Sequence, residues 1–211
     1  MKELNCFVDM DGTIADLFGA ISFRFFNKPY KQLTVEEKAE AKKIWYDREH
    51  FLDNFGGVEE FFANLPPFGK NGEVTNAIIN TVVKFAGTYS ICSHPASIDP
   101  EACKRGKITW IKKHLSPQPS ESYFPQNKAI YAIDSNGTPN VLIDDFPPYL
   151  AAWENAGGIA IEMRADGFNS SGEVERYLTS KLDEAKKQIE QNHVKESFDF
   201  YVESYLTKYI I

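Results

Sequence analysis

The sequence predicts an α/β fold: a parallel sheet covered by helices on both faces, with a small helical insertion after its first strand. Three observations carry this reading. Short, wholly apolar runs recur along the chain, too brief for helices and bounded by turn or charge signals. Helical stretches separate them, and strands apolar on both sides belong to parallel sheets buried on both faces. The first two runs stand about 80 residues apart, far more than one crossover helix needs.

Taken in order, the expected strands are Leu4–Val8, Tyr89–Cys92, Ala129–Ile133, Val141–Ile143 and Gly158–Glu162, the last preceded by a helix over Tyr149–Ala156. Between the first two strands lie the helix formers of Val35–Asp47, and nine of the 16 Phe residues fall between Leu17 and Lys84, the composition of a small domain with its own apolar core. The expected division is therefore a sheet core of residues 1–16 and 85–165, a helical insertion of 17–84, and a C-terminal helical extension of 166–211. In that extension Ser170 and Glu173 stand at capping-box spacing ahead of an apolar stripe of Val174, Leu178, Leu182 and Ile189. Phe198, Tyr201, Val202, Tyr205, Leu206 and Tyr209 form the stripe of a second amphipathic helix. Packing on its own domain is the preferred role for that stripe, and the contact face of a homodimer is the alternative.

Composition narrows the function classes. The chain has 211 residues, 43% of them apolar and 25% charged, which fits one soluble globular domain with an insertion. A net charge of −7 repels the phosphate backbone, so no polymeric nucleic acid is expected as a partner. A small anionic ligand held by a local site is compatible with that charge. Cys6, Cys92 and Cys103 form no CxxC pair, which argues against a disulfide framework or structural zinc and for a reducing, cytoplasmic compartment. No segment approaches the ~20 apolar residues of a membrane span, and the first residues lack the apolar core of a signal peptide, so no membrane partner is expected.

The sharpest chemical signal is Phe7-Val8-Asp9-Met10-Asp11-Gly12-Thr13-Ile14-Ala15-Asp16. Two carboxylates two residues apart follow a buried strand, and the carboxyl ends of parallel strands are where open α/β sheets bind ligands. Carboxylates this close need a cation or a shared proton. A calcium loop counted from Asp9 fails, because Gly12 falls at position four and Ala20 at position twelve. A second strand ends alike, in Val141-Leu142-Ile143-Asp144-Asp145-Phe146-Pro147-Pro148. Together the two clusters gather acidic oxygen donors at one sheet edge, a site suited to Mg²⁺.

These residues resemble the haloacid dehalogenase (HAD) superfamily of phosphohydrolases. Asp9-Met10-Asp11-Gly12-Thr13 is similar to its first motif, DxDGT. Ser93 after Tyr89–Cys92 matches the second-motif Ser/Thr, and Asp144-Asp145 matches the acidic fourth motif. The resemblance covers roughly residues 4–165 and implies a Rossmann-like three-layer α/β/α core, with the insertion as a cap of the family's first type. Within the superfamily the chain looks most like the 5'(3')-deoxyribonucleotidases, through Ile91-Cys92-Ser93, Leu142-Ile143-Asp144-Asp145 and the Lys107-Ile108-Thr109-Trp110 helix.

The resemblance implies Mg²⁺-dependent hydrolysis of a small phosphorylated substrate, a nucleoside monophosphate. Asp9 is the implied nucleophile and Asp11 the acid/base. The Asp9 carboxylate, the Asp11 backbone carbonyl and Asp145 are the implied metal ligands, with Asp144 acting through water. Ser93 and a lysine bind the transferring oxygens, with Gly12, Thr13 and His94 beside the phosphate. Lys128 is chosen as that lysine; Lys107, Lys112 and Lys113 are its rivals, although they read as one charged face of a helix over Lys107–Leu115. His94 next to Ser93 suggests a Ser-His pair, but no Gly-x-Ser-x-Gly elbow surrounds them. The remaining histidines show no metal-ligand spacing. Most aromatics of the insertion are expected to fill its core, and Phe18, nearest the Asp9 loop, is the candidate for substrate contact. Two other readings stand beside the nucleotidase: a phosphatase for another small ester such as a sugar phosphate, and a non-catalytic binding protein that keeps the fold.

Overall fold

A computed structural model describes residues 4–209, with side chains over that range except at positions 48, 50 and 192–209. Five strands form one sheet: β1 (Cys6–Val8), β2 (Ser90–Cys92), β3 (Glu121–Tyr123), β4 (Val141–Asp144) and β5 (Ile159–Glu162), in the order β3-β2-β1-β4-β5, with every neighbouring pair parallel. Eight α-helices accompany them: α1 (Leu17–Phe26), α2 (Val35–Trp45), α3 (Arg48–Phe55), α4 (Val58–Ala63), α5 (Glu73–Ala86), α6 (Pro100–His114), α7 (Pro147–Asn155) and α8 (Ser171–Tyr209).

Side-chain alternation along each strand separates two apolar layers. Cys6, Val8, Ile91, Val141, Ile143, Ile159 and Ile161 face one side, in the same cluster as the buried residues of α5 and the Val174–Ile189 stripe of α8. Phe7, Cys92 and Leu142 face the other, against Leu150 and Trp153 of α7. The result is the expected Rossmann-like α/β/α sandwich. Helix α5, inside the range assigned from sequence to the insertion, packs along α8.

Helices α1 to α4 form the insertion. Its core is an aromatic cluster in which Phe51 and Phe55 meet Phe61 edge-on at 4.8 and 4.7 Å, and Trp45 packs against Phe51, Phe61 and Phe62. The chain leaves and re-enters the sheet domain at one point. Asp16 N donates to Pro66 O, and the Thr75 hydroxyl both donates to Ile14 O and accepts from Phe68 N. Helix α4 rests on α6, where a Cβ on Gly106 would overlap the Glu59 carbonyl oxygen, so only glycine permits this approach. Among the described residues no helix is long and apolar enough to cross a membrane.

Two expectations need correction. Ala129–Ile133 is not a strand: Lys128–Tyr131 is a 3-10 turn capped by the Asn127 side chain, which accepts from Ala129 N at 3.0 Å. The apolar run misleads because Ile130 and Ile133 are exposed. The strand of that region is β3, at the sheet edge, where one neighbour and partial burial permit the polar sequence Glu121-Ser122-Tyr123. The tail is one continuous 39-residue helix, not two, since residues 190–197 contain neither Gly nor Pro to break it. Its start is capped as expected, with Glu173 N donating to Ser170 Oγ. The stripe from Phe198 to Tyr209 lies outside the described side chains.

Candidate active site

Strand register builds the site. Val8 pairs with Ile143 of β4 and with Ile91 of β2, so the residues just beyond these strands emerge level at one edge. Asp9 stands beside Asp144, to whose strand its amide is tied through Ile143 O at 2.9 Å. Beyond Asp9 the chain wraps the Met10 carbonyl, which accepts from the amides of Thr13, Ile14 and Ala15. Gly12, at φ +83°, makes this turn possible and leaves space that the Asp145 carboxylate fills.

Two buried lysines organise the four carboxylates. Lys128 Nζ donates to Asp9 Oδ1 and Asp144 Oδ2, both at 2.6 Å, with the Tyr149 ring 4.5 Å away. Lys107 Nζ donates to Asp11 Oδ2 and Ser93 Oγ, both at 2.7 Å, and to His94 O at 3.0 Å. Burial alone would lower both lysines. For Lys107, Asp11 leads the opposing influences, and for Lys128, Asp9 and Asp144 do; both lysines end above the ordinary value.

Four carboxylates against two ammoniums leave an excess of negative charge. Asp9, Asp144 and Asp145 each present an oxygen within 4.8 Å of the others. Burial, and then repulsion from Asp9, Asp144 and Asp11, pushes Asp145 up to about 8. Burial followed by Asp9 pushes Asp144 to about 6, against the pull of Lys128. Converging hard oxygen donors under this strain fit a divalent cation such as Mg²⁺, which would favour the ionised forms of Asp144 and Asp145. The Asp11 carboxylate turns to Lys107 and stands outside that cluster. Burial, the leading influence on it, raises its pKa.

A cavity of ≈ 890 Å³ opens over this edge. Asp9, Asp11, Gly12, His94 and Asp145 line it from the sheet domain, and Phe18, Tyr30, Trp45 and Tyr46 from the insertion. Ser93, Lys128 and Asp144 lie buried behind these residues. Thr13 is wholly buried with Oγ1 unpartnered among the described residues, and the amides of Gly12 and Thr13 are engaged within the loop by Ala15 O and Met10 O. The His94 ring is tilted against Tyr149 at 5.7 Å and is lowered by burial first and by the two lysines next. Phe18 stacks on Tyr30 at 4.9 Å.

Lys107 corrects the sequence reading. It is fully buried rather than part of a solvated face. The signal lies in its neighbours: Cys103, Gly106, Trp110 and Ile111 form the buried stripe of α6, and Lys107 falls within that stripe. Tyr149, against both Lys128 and His94, is a second residue that sequence reasoning passes over.

No family model and no curated protein matches the chain. Among solved structures it is similar to a dehalogenase, with a TM-score of 0.51 at 10% identity over 82% of this chain and 96% of that one. A hydrolase from Streptococcus pneumoniae TIGR4 gives 0.47 at 14% identity, over 84% of this chain and 99% of that one. A HAD-superfamily hydrolase of subfamily IA from Geobacter sulfurreducens PCA gives 0.42 at 11%, over 77% and 94%. At such identities the likeness is one of fold alone.

Proposed function

We propose that this chain is a HAD-superfamily phosphomonoester hydrolase that depends on a divalent cation, works through an aspartyl-phosphate on Asp9, and acts on nucleoside monophosphates. The observation that carries the reading is the convergence of Asp9, Asp144 and Asp145, with a fourth carboxyl, Asp11, held separately by Lys107. Dehalogenation also uses an aspartate nucleophile. A three-carboxylate cation site beside an acid of raised pKa favours phosphoryl transfer instead.

The residues perform two displacements. Asp9 attacks phosphorus with the oxygen that Lys128 does not hold, the P–O bond to the leaving group breaks, and Asp11 gives that oxygen its proton. Asp11, now ionised, takes a proton from a water that attacks the same phosphorus, and the bond from phosphorus to Asp9 breaks to release inorganic phosphate. Ser93 and Lys128, buried just behind the cavity lining, are the groups assigned to the transferring oxygens. When bound by Asp9, Asp144 and Asp145, a divalent cation supplies the charge neutralisation that lets an anionic nucleophile approach an anionic phosphate.

The nucleotide preference rests on the cavity wall. Its volume exceeds the need of a phosphate alone, and its aromatic side, including the stacked Phe18–Tyr30 pair and the exposed Tyr46, offers π faces to a base. The test is phosphate release from deoxy- and ribonucleoside 5'- and 3'-monophosphates and from sugar phosphates, each with Mg²⁺, with EDTA and with Asp9→Asn. Metal-dependent nucleotide turnover lost in the variant supports the reading. Turnover confined to sugar phosphates keeps the mechanism and removes the nucleotide assignment.

A further inference from the structure

An ammonium has three N–H donors and no acceptor. All three of Lys107 are engaged: Asp11 Oδ2, Ser93 Oγ and the His94 carbonyl take one each. No donor remains for a substrate, so this buried cation is not a phosphate ligand in this arrangement. Its other contacts are those of a fixed part. Nζ lies 5.2 Å from the centroid of the Phe62 ring, and the preceding residue, Gly106, is the close contact between α6 and α4. The Asp11 carboxylate depends on it, because Oδ1 is buried and has no hydrogen-bond partner among the described residues. Lys107 is thus the group that anchors the Asp11 carboxylate, through Oδ2, and ties it to Ser93.

We infer that Lys107 is a positioning residue for proton transfer: it fixes the Asp11 carboxyl relative to Ser93, so that acid and phosphate-binding hydroxyl meet one substrate at a set spacing. This rests on the phosphohydrolase reading above. Its consequence is selective, because a strongly basic alkoxide needs a proton as it leaves and p-nitrophenolate does not.

The experiment compares wild-type protein and Lys107→Met on an alkyl phosphomonoester and on p-nitrophenyl phosphate, following the first turnover by rapid quench. The expected loss is at least ~30-fold greater for the alkyl ester. An equal loss on both esters overturns the positioning role while wild-type turnover keeps the hydrolase reading; no turnover by wild type on any ester defeats both. Folding of a variant with Asp11 left unpaired is a separate matter, so Asp11→Asn is also compared with the Asp11→Asn, Lys107→Met double variant, which removes both charges. Acting through Asp11, Lys107 should cost less than ~3-fold more in that background. A further loss of ~10-fold or more overturns the inference.

Discussion

Gly12 and Asp145 occupy adjoining space so closely that a Cβ on Gly12 would overlap the Asp145 carboxylate. At φ +83° Gly12 also holds a backbone conformation that costs an L-residue about 1–2 kcal/mol. Gly12→Ala is expected to displace Asp145, weaken Mg²⁺ binding and lower kcat/KM by about 100-fold, the scale of a 1 Å misplacement. Calorimetric Mg²⁺ titration alongside kinetics checks this, and an unchanged Mg²⁺ affinity would contradict it.

Lys128 joins Asp9 to Asp144 through two 2.6 Å ion pairs in the interior. Lys128→Met leaves those carboxylates facing each other uncompensated, and the loss expected for breaking a buried pair is about 3–5 kcal/mol. Urea unfolding without metal measures it. Saturating Mg²⁺ should recover part of the loss, because the ion engages the same carboxylates.

Metal and pH are linked at Asp145. An unfolded carboxyl ionises near 3.8, whereas without a cation Asp145 keeps its proton up to about 8 and Asp144 up to about 6. Across that window the native state holds protons that the unfolded chain has released, so stability of the metal-free protein present at low pH falls as pH rises. A cation needs the ionised forms, so the rise in Tm from a fixed Mg²⁺ concentration should be larger at about pH 8.5 than at about pH 6, with proton release on binding. Thermal unfolding at both values reads it; a pH-independent increment counts against the site.

The aromatic wall gives a substrate-specific expectation. Phe18 and Tyr30 stack at 4.9 Å along the cavity. Replacing a stacking ring costs about 1–3 kcal/mol per base, so Tyr30→Ala should raise KM for a nucleotide by ~10-fold or more. The same variant should leave a nonaromatic phosphate ester within ~2-fold of wild type. Equal effects on both would assign Tyr30 to the packing of the insertion.

The acids of this site are legible in the sequence because each follows a wholly apolar strand, and strands in register deliver their next residues to one edge. Asp9, Asp11, Asp144 and Asp145 need no further signal, and Lys128, chosen from motif order, stands between Asp9 and Asp144. Lys107 is hidden because a lysine on an amphipathic helix ordinarily marks the solvated face, while here it interrupts a buried stripe in order to reach Asp11. β3 is hidden for the opposite reason: an edge strand paired on one side tolerates Glu and Ser, while the apolar Ala129–Ile133 run exposes two isoleucines. The cavity wall comes from several separate segments of the insertion, and no local pattern tells a ring facing substrate from one in the Phe51–Phe55–Phe61 core.

Covalent catalysis by Asp9 leaves an intermediate that can be captured. The protein is quenched in acid during turnover of an ester radiolabelled in its phosphoryl group, then digested and mapped. Acid-stable label is expected on the peptide containing Asp9 and absent from Asp9→Asn. Phosphate release with no label on that peptide, or at an undiminished rate in Asp9→Asn, would contradict covalent catalysis by Asp9.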